Sequence, residues 1–202
     1  MGRNSGGVNS SSRGSSANGV SKGATEKGYT KKMVKNILSV EQKYRNNKDE
    51  TAHFFNEKGD LVTSVAGKGA QVKFDTKIVP ANSIITHNHP RSIGAEGIYR
   101  IGNSFSTADV ATAVDVNAKE IRAVTPTYTF SLKRPKGGWG VTAKEVEKTI
   151  NAISDDVFDQ NMKYISKTRT SEAQDRATVA HSHQVMKRVA KKYGWDYTKK
   201  HN

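Results

Sequence analysis

The sequence predicts an α+β fold, a mixed central β-sheet flanked by helices, with a disordered N-terminal tail and C-terminal helices. Three observations carry this. Short apolar or alternating runs bounded by turn residues recur between Glu50 and Leu132. Apolar residues at helical spacing precede those runs, interrupt them and follow them. The opening residues, by contrast, hold almost nothing to bury. The 202 residues are ample for one core.

Residues 1–28 are dominated by Ser, Gly and Asn and read as a disordered tail or flexible linker, of the kind that joins a module to a larger protein. Residues 29–48 change pattern. Tyr29, Met33, Ile37, Val40 and Tyr44 recur among lysines at the spacing of an amphipathic helix. Residues 49–135 form the expected core. Strands are expected at 50–56, 61–66, 70–74 and 83–89, the first two joined as a hairpin by Glu57-Lys58-Gly59-Asp60. A helix follows over 107–118, with Ser106 as N-cap, Asp109 at N3 where the helix dipole favours an acid, and Ala111, Val114 and Ala118 on one face. Phe105 and Val110 suit a hydrophobic staple around that cap. Ile121 to Thr125 and Tyr128 to Leu132 read as two further strands around Pro126.

Residues 136–202 form a basic helical region. Lys136-Gly137-Gly138-Trp139-Gly140 is a turn, with Trp139 read as a packing residue. Thr142 and Glu145 make a capping box ahead of Val146, Ile150, Ile153 and Val157, which share one helix face. A last helix spans Ser171 to Tyr193. His181 and His183 lie on it two apart, diverge by roughly 200° and make poor co-ligands.

Composition excludes some classes of function. No run approaches the ~18–20 apolar residues of a membrane-spanning helix, and the start lacks the apolar stretch of a signal peptide, so a cytoplasmic protein is expected, with a virion-associated or delivered one as the alternative. Cysteine is absent, which rules out a thiol nucleophile and thiolate zinc sites. The net charge of +14 is unevenly placed. Residues 1–48 carry net +8 and residues 162–202 net +7, while 49–161 carry net −1. The basic arms suit a polyanion, such as nucleic acid, an acidic protein or an anionic membrane surface; equally, they would simply keep the chain soluble.

The chemistry concentrates in Thr86-His87-Asn88-His89-Pro90 and Ser106-Thr107-Ala108-Asp109. On a strand, His87 and His89 share one face and Asn88 points the other way. Pro90 would end the strand just after the second imidazole. Two imidazoles and a carboxylate from a neighbouring element make a three-ligand metal site that leaves the fourth position to water, the arrangement of a catalytic zinc. Ser106 and Asp109 alone would be a helix cap; beside the two histidines, Asp109 is favoured as a ligand. A hydrolytic site also needs a base. Glu50 opens a strand and shares a face with Ala52 and Phe54, which aims it inward, although an acid beside Asp49 would ordinarily be solvated. His53 falls on the opposite face and reads as a packing or surface residue.

Glu50, His87-Asn88-His89-Pro90 and Ser106-Thr107-Ala108-Asp109 together resemble the metal signature of the JAB/MPN (JAMM) metalloprotease superfamily, closest to RadC-like proteins and to JAB-like domains of phage head-associated and toxin-like proteins. The resemblance spans roughly residues 49–135 and implies a JAB/MPN, cytidine-deaminase-like fold. It further implies zinc held by His87, His89 and Asp109, with Glu50 as general acid/base and Ser106 stabilising the oxyanion. The implied reaction is cleavage of a peptide or isopeptide bond in a protein or peptide substrate. Two spacings depart from the family pattern. The stretch from His89 to Asp109 is longer, so that Arg91 to Ser104 reads as an inserted loop over the site, a substrate lid. The stretch from Glu50 to His87 is shorter, which makes Glu57 the alternative base. Two other classes of function stay open: a nucleic-acid-associated protein acting through its basic arms, and a structural or interaction module without chemistry.

Overall fold

A computed structural model describes residues 28–90 and 101–202. The tail expected over 1–28 falls almost wholly outside the described residues, as does the greater part of the lid expected over Arg91 to Ser104. Among the described residues the fold is α+β, a six-stranded mixed sheet flanked by four helices. The strands are β1 (Thr51–Phe55), β2 (Leu61–Ala66), β3 (Ile84–Asn88), β4 (Glu120–Val124), β5 (Tyr128–Lys133) and β6 (Asp196–His201), in spatial order β2-β1-β3-β4-β5-β6. All neighbours run antiparallel except β3 and β4. That parallel pair needs a crossover, which α2 (Thr107–Asp115) supplies. The carboxyl end of β3 is thereby brought near the amino end of α2.

Each face of the sheet has its own cover. α1 (Lys31–Tyr44) lays Met33 and Ile37 on Phe55 and Ile84. Beside this apolar patch, Arg122 donates to Glu41 at 2.6 and 3.1 Å and to Glu120 at 2.9 Å, all three side chains being buried. Thr86 donates to Glu41, and Tyr29 and Ser131 donate to Glu120. The opposite face of the sheet carries the larger core, in which Phe54, Ile85, Ile121 and Phe130 meet Val110 and Val114 of α2 and residues of α3 (Ala143–Thr168) and α4 (Ser171–Tyr193). α3 and α4 form an antiparallel hairpin, tied by Thr149 to Tyr193, Ser154 to His181 and Asn161 to the Ala177 carbonyl. The expected capping boxes form at Ser106/Asp109 and Thr142/Glu145. Among the described residues, no helix is long and apolar enough to cross a membrane.

Three expectations need correction. No strand forms at 70–74; Lys68 and Gln71 make an isolated bridge, and a 3₁₀ turn follows at Thr76–Ile78. The alternation there reflects packing without a partner strand, since Phe74 meets Phe54 edge-to-face at 4.7 Å while the backbone stays off the sheet. α2 stops at Asp115 rather than at 118, because Asn117 turns left-handed (φ 51°) and the Ala118 N–H bonds back to Ala113 O. Finally, the region expected to be helical over 136–202 ends in a strand, β6, which pairs along all of β5 although its sequence has little alternation. Its inward Lys199 lies over the Tyr128 ring at 4.2 Å, a cation–π contact in place of an apolar one.

Candidate metal centre and cleft

His87 occupies the penultimate position of β3, where its cross-strand neighbours are Ala52 on β1 and Ala123 on β4. Two small neighbours leave room for an imidazole within an otherwise filled face. His89 continues the ladder through its N–H to Val124 O (2.8 Å) and shares the His87 side. Its Nδ1 lies 2.9 Å from the Asn103 carbonyl oxygen. A carbonyl only accepts, so Nδ1 carries the proton and the Nε2 lone pair faces the site, the tautomer a metal needs. Asp109 arrives from the first turn of α2. One of its carboxylate oxygens, Oδ2, accepts from the Ser106 N–H at 2.7 Å and lies 3.6 Å from His87 Nε2 and 3.9 Å from His89 Nε2. Cap and site are built from the same atom.

The geometry suits an ion. The two Nε2 atoms are 2.9 Å apart, and one ligand atom from each of the three residues falls within 4.8 Å of the others. Tetrahedral coordination with bonds of ~2.0–2.1 Å separates its ligand atoms by about 3.3–3.4 Å, within the spread seen here. Among the described residues this is the one cluster of three such side chains. A His-His-Asp group of this kind could bind a metal ion, and the donor set alone does not fix which. Burial opposes the charge on both partners, yet the negative Asp109, its hydrogen bond and the Glu50 charge together raise the His87 pKa. Burial likewise opposes ionisation of Asp109, but His87, His89 and the Ser106 N–H outweigh it and hold the carboxyl far below the usual range. The cluster thus sets an ionised carboxylate against two imidazoles.

Glu50 is buried just ahead of β1, on the side of Ala52 and His87. Its backbone is gripped at both ends, N–H to Gly69 O (2.7 Å) and C=O from Gly67 N–H (2.8 Å). Gly67 must be glycine at this point, because a Cβ there would meet Gln71 O at 2.0 Å. Asn88, the residue between the two histidines, locks the same segment from the other face. Its Oδ1 accepts from the Thr51 N–H at 2.8 Å, and its Nδ2 donates to the Asn47 and Asp49 carbonyls at 3.1 Å. Glu57, the alternative base, sits in the hairpin turn beyond the far end of β1, about a strand's length of ~3.3 Å per residue from the cleft. The Ser106 hydroxyl accepts from Asp109 N–H at 3.1 Å, which leaves its own proton available as a donor.

His53 lies on the opposite face, against Tyr44 (ring centroids 4.3 Å apart) and Ser64 (2.7 Å). Burial, with Lys43 and His87 adding to it, pushes its pKa down to about 4. His181 and His183 take separate partners, Ser154 and Tyr197, each at 2.9 Å.

Glu50, His89, Ser106 and Asp109 line one end of a cleft of about 940 Å³. The 70–73 segment forms one wall, and Phe158, Met162, Ile165, Ala177 and His181 of the α3–α4 hairpin form the other. Sequence reading missed this second wall and the roles of Asn88 and the Asn103 carbonyl. A signal for the wall exists, since Phe158, Met162 and Ile165 repeat at i, i+4, i+7 beside the core-facing stripe of α3. Comparison of the chain with protein-family models, with curated proteins and with solved structures finds no match.

Proposed function

We propose that the protein is a zinc-dependent hydrolase of JAB/MPN type that cleaves a peptide or isopeptide bond. The observation that carries this reading is the convergence of His87, His89 and Asp109 on one point at the end of a cleft that Glu50 and Ser106 also line. A zinc ion held there supplies Lewis acidity and lowers the pKa of water from ~15.7 toward ~7. Glu50 then takes the proton as the water oxygen attacks the scissile carbonyl carbon, and returns it to the leaving amine as the C–N bond breaks. The Ser106 hydroxyl donates to the developing oxyanion, a contact whose loss typically costs about 3–4 kcal/mol. The Asn103 carbonyl keeps the His89 imidazole oriented while this happens.

Elemental analysis of the purified chain tests the proposal, expecting about one zinc per chain that His87→Ala abolishes. Glu50→Gln should retain zinc and lose turnover on peptide and isopeptide substrates. Turnover that survives in Glu50→Gln refutes the base assignment, and failure to take up supplied zinc refutes the hydrolase.

A second reading, association with nucleic acid, draws on charge. From residue 187 to the last residue, α4 and β6 carry Lys187, Arg188, Lys191, Lys192, Lys199 and Lys200 against Asp196 alone. Its test is duplex DNA binding whose affinity falls with salt at a log–log slope of several.

A further inference from the structure

We propose that the cleft selects substrates carrying a bulky apolar side chain next to the bond to be cut, and that Phe158 and Met162 of α3 receive it. The inference rests on the hydrolase reading and deepens it. Phe158 and Met162 are 56% and 46% exposed, one helical turn apart, although the core-facing residues Val146, Ile150 and Val157 of the same helix are fully buried or nearly so. Large apolar side chains left this open cost free energy unless something covers them. Here they are not an isolated surface patch. They line the same cleft as Glu50, Ser106 and Asp109, so a molecule whose reacting carbonyl lies at the metal end has its neighbouring groups against them.

The chemistry of the wall narrows the occupant. Its residues from α3 and α4 include no Asp, Glu, Lys or Arg, and burial lowers the pKa of His181, which favours its neutral form. On the 70–73 side Ala70 and Val72 add apolar surface beside Gln71 and Lys73, so the apolar character is strongest on the α3–α4 wall. Asn161, Gln174 and Ser182 supply a few polar contacts suited to a peptide backbone. A cleft of about 940 Å³ takes more than one residue of such a chain. The lysines of α4 lie outside this lining, so the cleft and the basic surface recognise different things.

The test uses the full chain loaded with zinc and two hydroxamates that differ only in a side chain, N-acetyl-glycine hydroxamate and N-acetyl-leucine hydroxamate. Calorimetry should find the leucine compound bound at least about tenfold more tightly, the gain expected from burying its side chain. Phe158→Glu with Met162→Glu should bring the ratio toward one. Tyr164→Glu, on the same helix but outside the cleft lining, should preserve it. Equal, zinc-dependent affinities for both compounds overturn the inference while leaving the hydrolase reading intact. A ratio that persists in the double variant overturns it as well. A chain that takes up no zinc removes both readings, and zinc content measured on every sample separates that case from the others.

Discussion

Arg122 is a buried cation set between two buried carboxylates, and its removal gives a large, calculable effect. The guanidinium makes charge-assisted hydrogen bonds to both, two to Glu41 and one to Glu120. In Arg122→Met the two carboxylates lose the cation between them, inside a region where every participant is at most 5% exposed apart from Tyr29. Breaking a buried pair in this way costs about 3–5 kcal/mol, because a desolvated charge is left behind. For a domain of this size, that corresponds to a fall in melting temperature of roughly 6–20 °C. Urea unfolding followed by tryptophan fluorescence suits the measurement, since Trp139 and Trp195 are both buried and pack edge-to-face at 4.7 Å. The charge argument has its own control. Adding Glu41→Gln and Glu120→Gln to Arg122→Met removes the repulsion while leaving amides that pair with the Thr86, Tyr29 and Ser131 hydroxyls, which accept as well as donate, so the triple variant should recover much of the loss. If Arg122→Met costs under about 1 kcal/mol, or if the triple variant is no more stable than the single one, the network does not hold α1 by charge.

Two other outcomes follow from the same reasoning. Asn88→Ala leaves the Thr51 N–H and two carbonyls without their partner beneath Glu50; it should keep zinc by elemental analysis yet lose most turnover, whereas full turnover would deny Asn88 any positioning role. His53 has a folded pKa of about 4 against an ordinary 6.5, so its contribution to stability is complete above pH 6.5 and is lost as pH falls toward 4. The loss is on the order of 3 kcal/mol, and urea midpoints measured across that range should flatten in His53→Phe relative to wild type.

The His87–His89–Asp109 cluster was legible because short-range rules build it. Alternation along a strand put His87 and His89 together, and a capping box put Asp109 at the mouth of a helix. Glu50 was legible for the same reason, as the residue one step outside a hairpin strand on the inward face. What escaped depends on contacts between distant segments. The β5–β6 pairing joins residues more than sixty positions apart through backbone bonds, which impose no apolar period on a lysine-bearing edge strand. The 70–74 segment alternates like a strand yet finds no partner, so its period describes packing alone. Likewise the cleft wall on α3 exists only once α3 and α4 fold back over the sheet. The sequence divides at residue 135 by motif, but β6 completes the sheet and α3 enters its core, so the later region is structurally part of the same body.

Asp109 shows why cap and ligand need not compete, and a single substitution separates the two roles. As N3 of α2 its carboxylate accepts from the Ser106 N–H, and the helix dipole favours its charge; the same Oδ2 faces both imidazoles. An asparagine in its place would still offer an oxygen to the Ser106 N–H, so the charge–dipole part of the loss should be limited to about 0.3–1 kcal/mol. As a zinc ligand, however, a neutral amide is a poor substitute for a carboxylate. With both proteins stripped of metal, Asp109→Asn is therefore expected to unfold within about 1 kcal/mol of wild type, while on supply of zinc it binds far below one per chain. Loss of both properties together would mean that the charge is needed to hold β3 against α2 in the absence of metal. Retention of both would mean that His87 and His89 suffice, and the carboxylate would then be a cap that happens to lie near them.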